Sequence, residues 1–273
     1  MNRIFIGMNE EEKILPINYS CHFTEFREGE QFVQGHSLSM VISGSIELND
    51  GKKTAIISGG ELYSARKNHL LKFIKHPPAN GEFKSLSIFF DEKLLRSFSS
   101  EYGYQSDVSS ASSAFIKLPE DKTLLAFMQS LISYEHLLSD ENAIEIIRIK
   151  QKEALLLLLK YDTSLKHILF DFSEPYKIDL EAFMQKNFHF NVHLERFAYL
   201  TGRSLSTFKR DFEKIFHETP SRWLLHRRLQ EAYYLIKEKN KTASDIYLDL
   251  GFEDLSHFSY TFKKQYGIAP SMV

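Results

Sequence analysis

The feature that most constrains this chain is a repeat within its last hundred residues. Phe197-Ala198-Tyr199-Leu200-Thr201-Gly202 returns as Ile246-Tyr247-Leu248-Asp249-Leu250-Gly251. Leu205-Ser206-Thr207-Phe208-Lys209-Arg210-Asp211-Phe212 returns as Leu255-Ser256-His257-Phe258-Ser259-Tyr260-Thr261-Phe262. The offset is 49 residues before the glycine and 50 after it, so the second turn is one residue longer. Phe216 and Tyr266 extend the match, and Pro220 and Pro270 close each copy. Each copy predicts a short helix ending near a glycine, which readily takes left-handed backbone. A polar cap follows, Ser204 or Asp254. The next helix carries apolar residues at i, i+3, i+7 and i+11: Leu205, Phe208, Phe212 and Phe216, then Leu255, Phe258, Phe262 and Tyr266. Helix, tight turn and amphipathic helix is the helix-turn-helix plan, whose second helix enters the major groove of DNA. The segment 221–237, with Trp223, Leu224, Leu229, Ala232, Leu235 and Ile236, predicts one long helix joining the copies. Two readers on one rigid unit suit adjacent major-groove faces, about 34–36 Å apart.

Residues from about 178 to 271 resemble the DNA-binding domain of AraC/XylS-type regulators. The resemblance rests on Gly251-Phe252, Ser256-His257-Phe258-Ser259, Phe262-Lys263-Lys264, Tyr266-Gly267 and Pro270 in the second copy, and on Arg228-Leu229 and Ala232 in the connecting helix. Three departures stand out. Tyr247 occupies a position where the family usually has a small Ala, which implies shifted helix packing in the second unit. His217 replaces the Gly usual after the first reading helix. The chain stops three residues after Pro270. The stretch from His36 through Val41, Gly44 and Gly60-Glu61-Leu62 to His69 is similar, less closely, to the cupin-like sensing domain of such regulators. In that family the helices after the barrel mediate dimerisation, a role that suits residues 121–161.

Direct readout needs side chains on the exposed face of each reading helix, mostly near its N-terminus. The base-reading candidates are Ser206, Lys209 and Arg210 in the first helix, and Ser256, Ser259 and Tyr260 in the second. Lys209 and Arg210 are donors suited to guanine O6 and N7. The resemblance places Ser206, Lys209, Arg210, Leu255, Ser256 and Tyr260 at base-facing positions, and Leu255 also reads as a core residue of the stripe. Tyr260 stands where Arg is frequent, so the first unit is expected to discriminate more. The phosphate candidates are Arg203, Thr207, Lys214, His257, Lys263 and Lys264.

The preceding sequence reads differently. Of the chain's 34 basic and 36 acidic residues, 15 and 12 fall within 175–273, so a mildly basic part follows an acidic one. Ser39-Met40-Val41-Ile42, Ser45-Ile46-Glu47-Leu48 and Leu86-Ser87-Ile88-Phe89-Phe90 predict strands, punctuated by turns at Asn49-Asp50-Gly51 and Ser58-Gly59-Gly60. Helices are predicted from 92 to 99 (cap Asp91), from 121 to about 138 (cap Asp121) and from 142 to about 161. The apolar run at 154–159 must be buried, inside the domain or against a second subunit. The segment from Phe172 to Tyr176, containing Pro175, is the linker candidate. The expected fold is α+β: residues 1–170 form a cupin-like β-barrel with a helical dimerisation segment, and residues 171–273 form an all-α domain with two helix-turn-helix units.

The lone Cys21 forms no intramolecular disulfide and suggests no zinc site. The first residues lack a signal-peptide core, and the longest aliphatic run, 155–159, is far too short to span a bilayer. A cytoplasmic protein without membrane contact is expected. The alternative is a cupin-type metalloenzyme with an accessory helical domain. It would need His22, His36, His69 and His76 to converge, and these are isolated in sequence. His189 and His193, four apart, read as surface or packing residues. No phosphate loop or nucleophile elbow occurs, and neither enzymatic activity nor a cofactor is expected. The expected partners are double-stranded DNA, a second copy of the chain, and a small-molecule or protein effector at the N-terminal domain.

Overall fold

The computed structural model describes residues 16–27, 31–107, 113–134 and 143–273. Strands come first: β1 Ile17–His22, β2 Phe26–Arg27, β3 Phe32–Val33, β4 His36–Ser43, β5 Ser45–Asn49, β6 Thr54–Ser58, β7 Leu62–Ala65, β8 His69–Leu70, β9 Lys72–His76 and β10 Phe83–Phe90. Helix α1 Glu92–Tyr102 and strand β11 Phe115–Leu118 follow, then helices α2 Lys122–Leu131, α3 Ile144–Tyr161 and α4 Lys166–Leu169. All pairings are antiparallel, giving a five-stranded sheet in the order β1-β10-β4-β7-β11, a four-stranded sheet β2-β9-β5-β6 and a short ribbon β3-β8.

The expected strands fall within β4, β5 and β10, and the Asn49-Asp50-Gly51 turn joins β5 to β6. Asn49 and Asp50 accept backbone hydrogen bonds from Gly51, Lys52 and Lys53, which closes that turn through side chains. Val41, Ile46, Leu48, Ile57, Leu71 and Phe83 fill the space between the sheets. The other face of the five-stranded sheet packs Leu38, Met40, Leu86 and Ile88 against α1, α2 and α3. Asp91 and Asp121 cap α1 and α2 by accepting from Leu94 N and Leu124 N. Helix α1 runs three residues beyond the expected end. The expected end of the next helix near 138 and the expected start at 142 lie outside the described residues. Ala154, Leu155, Leu158 and Leu159 of α3 are buried inside this core.

The C-terminal part is helical: α5 Leu180–Asn187, α6 Leu194–Leu200, α7 Leu205–Phe216, α8 Pro220–Lys239, α9 Ala243–Ile246 and α10 Leu255–Tyr266. Its core gathers Phe197, Phe208, Phe212, Leu229, Phe258 and Phe262, and also takes in Phe32 and Leu70 from the ribbon β3-β8. Polar contacts cross the same seam. Gln31 N donates to Asn191 O (3.0 Å), Asn191 N donates to Gln31 Oε1 (3.0 Å), and Asn68 Nδ2 donates to Tyr199 Oη (2.8 Å). The Arg196 guanidinium lies 4.7 Å from the Phe32 ring centre.

Candidate nucleic-acid interface

Each repeat folds as a helical hairpin: α6 with α7, and α9 with α10. Ser204 and Asp254 cap the second helices by accepting from Thr207 N and His257 N, as their positions predict. Gly202 and Gly251 both adopt positive φ, 64° and 85°. Neither turn has room for a side chain: a Cβ on Gly202 would stand 2.3 Å from the Tyr176 carbonyl carbon, and one on Gly251 2.9 Å from Arg228 Cζ. The apolar stripes turn inward. Phe208 and Phe212 of α7, and Phe258 and Phe262 of α10, are fully buried, so truncating any one to Ala would cost about 3–5 kcal/mol.

The hairpins differ where the sequence departs from its own repeat. Helix α9 spans four residues against seven for α6, and Tyr247 ends it. Residues 247–251 continue as a turn closed by Leu250 N to Ile246 O and Phe252 N to Tyr247 O. The extra residue of the second turn lets Phe252 enter the core edge-on to Phe258. After α7, His217 takes the left-handed conformation (φ 55°) that Gly267 takes after α10 (φ 78°). A Cβ-bearing residue is held there at a cost of roughly 1–2 kcal/mol.

Helix α8 clasps both hairpins. Near its start Trp223 meets Phe212 and Phe216, with ring centres 5.6 and 4.6 Å apart. Ten residues on, Tyr233 meets Phe262 and Tyr266, at 6.3 and 4.8 Å.

Most candidate contact residues lie on the opposite, solvated faces. Arg210 is 65 % exposed and Tyr260 67 %, and Ser206, Lys209, Lys214, Ser256, His257, Lys263 and Lys264 are also exposed. Ser259 is half-buried. Thr207 is half-buried and accepts a hydrogen bond from Ser204 Oγ at 3.0 Å. Arg203, expected at a phosphate, is placed otherwise. Its side chain is only 6 % exposed, pairs with Asp211 at 3.1 Å, and donates to the carbonyls of Ile178 (3.0 Å) and Thr201 (2.7 Å). Buried acceptors have claimed its donors, so it anchors the turn. Arg203, then Lys177, hold the Asp211 carboxyl below its usual range.

Arg228 was legible only as part of the connecting helix. It is half-buried and donates to three backbone carbonyls, of Phe188, Phe190 and Gly251. His189 lies beside it, held neutral with a pKa of about 4 by burial, then by Lys72 and Arg228. Among the described residues no group of three or more His, Cys, Asp or Glu is arranged to hold a metal ion, and no helix is long and apolar enough to cross a membrane.

Capped hairpins with inward apolar stripes and solvated polar faces define a DNA-binding protein of the helix-turn-helix class. Residues 197–273 match a helix-turn-helix domain family, and residues 36–172 match the ExsA N-terminal regulatory domain family. The chain belongs to the AraC/XylS family and is a DNA-binding transcription regulator with an N-terminal regulatory domain. It is 22 % identical over 259 residues to the HTH-type transcriptional regulator ExsA of Pseudomonas aeruginosa, covering 92 % of this chain and 90 % of that one. It is 30 % identical over 92 residues to the virulence regulon transcriptional activator VirF of Yersinia enterocolitica, 34 % of each chain. An apo structure of ToxT from Vibrio cholerae aligns over 94 % of this chain and 95 % of that one, with a TM-score of 0.46 and 12 % identity.

Proposed function

We propose that both hairpins are readers, entering successive major grooves on one face of double-stranded DNA. Ser206, Lys209 and Arg210 of α7 and Ser256, Ser259 and Tyr260 of α10 contact bases. Thr207, Lys214, His257, Lys263 and Lys264 hold phosphates. The observation that carries this reading is the shared α8. Trp223 and Tyr233, ten residues or about 15 Å apart along this one helix, pack against α7 and α10 and hold the two hairpins in fixed relation. Selection of bound sites from a random DNA library by the full chain tests it. Two enriched blocks centred about one helical turn apart are expected. A single compact block, or no enrichment, would overturn it.

Residues 1–170 serve as the sensing and dimerisation domain and residues 171–273 as the DNA-binding domain. Pro175 lies between the two matched families, which supports this division. The two-sheet body supports a cupin-like barrel. A homodimer is supported by Ile146, Ile149 and Leu156 on the outer side of α3, exposed at three- and seven-residue spacing. The matched regulatory family supports control by a signal at the N-terminal domain. A small polar effector is favoured by a cavity of about 380 Å³ at the seam, lined by Phe32, Lys67, Asn68, Gln151, Arg196 and Tyr199. Gln151 is buried there, and its Oε1 has no hydrogen-bond partner among the described residues. The relatives are transcription regulators, which supports a cytoplasmic setting and speaks against the metalloenzyme alternative.

A further inference from the structure

The N-terminal domain reaches the joint between the two hairpins. On one side of that joint stands Arg228, from the middle of α8. It donates to Phe188 O (2.8 Å) and Phe190 O (2.9 Å) in the loop leading to α6, and to Gly251 O (2.9 Å) in the turn of the second hairpin. One planar guanidinium thus fixes the approach to the first hairpin against the turn of the second. On the other side stands Lys72 of β9. Its Nζ donates to the carbonyl oxygen of Asp249 at 2.6 Å, two residues before Gly251. It also lies 5.6 Å from the Phe190 ring centre, in the loop that Arg228 holds. Lys72 is 9 % exposed, so this contact is shielded from water. The β5-β6 turn adds shape to the grip, because a Cβ on Gly51 would stand 3.2 Å from Phe190 Cε2. A buried cation from the regulatory domain therefore bears on the segment from which the second reading helix departs.

We propose that Lys72 is a positioning residue for DNA recognition. Through the Asp249 carbonyl it sets the angle between the two readers, and so the spacing between DNA blocks that the chain accepts. This rests on the reading of both hairpins as readers. The turn at 247–251 carries more of the placement of α10, since α9 is only four residues long against seven for α6. The contacts of Asn68 and Gln31 fall instead on Tyr199 and Asn191, at and just before the first hairpin.

The test uses the full chain and DNA carrying both selected blocks, with the spacing lengthened or shortened by single base pairs, and DNA carrying the first block alone. Wild type is expected to bind best at one spacing. Lys72→Met should flatten that optimum and lose roughly tenfold at the native spacing, as expected for a charge-assisted hydrogen bond. Its affinity for the single block should stay at the wild-type value. Lys72→Arg should restore the optimum, and Lys72→Gln stands in if the Met variant does not fold. Gln31→Ala loosens the seam elsewhere, at Asn191, and should keep the wild-type spacing profile. A Lys72→Met profile matching wild type, or a Gln31→Ala profile matching Lys72→Met, overturns the assignment. Wild type indifferent to spacing would overturn the two-reader reading itself.

Discussion

The Arg203 guanidinium lies 3.1 Å from the Asp211 carboxylate and ties the first hairpin's turn to its second helix. The same side chain serves two backbone carbonyls, of Ile178 and Thr201. Arg203→Ala strands those acceptors and should cost about 1–3 kcal/mol of stability in urea unfolding. The salt dependence of DNA binding should stay at its wild-type slope. Lys264→Ala should leave stability alone and make that slope shallower by about one. If Arg203→Ala changes the slope as Lys264→Ala does, Arg203 is a phosphate ligand after all.

Arg210 and Lys264 are both exposed, yet different losses are expected from them. Arg210→Ala should lose about 1–3 kcal/mol on a selected site and much less on random DNA. Lys264→Ala should weaken both by a similar factor. Competition titrations with the two DNAs separate the variants, and matching loss patterns would refute the division of roles.

The overall salt response follows from the number of phosphates neutralised. Lys214, Lys263 and Lys264 at three phosphates predict a slope of roughly −3 for log affinity against log salt. Affinities across a salt series measure it directly, and a slope near zero would remove the proposed phosphate contacts.

His36 is buried in β4, and neither ring nitrogen has a hydrogen-bond partner among the described residues. Burial first, then Lys67, Arg66 and His69, push its pKa down to about 3. In the unfolded chain it titrates near pH ~6.5. The folded value is the lower one, so the unfolded state binds the extra proton as pH falls between these values. His36 therefore contributes stability that is complete above about pH 6.5 and is lost as pH falls towards 3. Urea midpoints on acidification should fall less steeply in His36→Leu than in wild type. Equal slopes in the two proteins would contradict this.

Ile149 is 63 % exposed on the outer side of α3, in line with Ile146 and Leu156. Ile149→Lys should shift the free chain from dimer towards monomer in sedimentation while leaving its helical content unchanged. A wild-type chain that sediments as a monomer would remove α3 as the seam.

The hairpins were legible because their signals are local. Stripe spacing, a glycine and a cap all fall within about sixteen residues, and Ser204, Asp254, Asp91 and Asp121 each accept the hydrogen bond their positions predict. Helix α9, which ends at Tyr247, is the shorter of the two first helices. What escaped were contacts between distant segments. Arg203 sits in a turn beside a reading helix, where a cation resembles a phosphate ligand. Its acceptors lie at Ile178, Thr201 and Asp211, and only the acid eight residues on was a visible hint. Lys72 carries no local pattern, and the connecting-helix motif does not reveal what Arg228 holds, because the partners of both are backbone carbonyls that the fold brings in from elsewhere. The ribbon β3-β8 escaped for the same reason, being two short strands whose apolar residues face another domain's core.

Phe32 and Leu70 make the two halves of this protein poor interchangeable parts. A hybrid that joins residues 1–170 to the reading half of a relative would carry two apolar plugs cut for the interior around Phe197 and Phe258. The severed reading half would in turn show an unfilled apolar recess to solvent. Grafting experiments on this chain should move the ribbon together with the helices it serves, or expect both fragments to cling to whatever greasy surface they meet first.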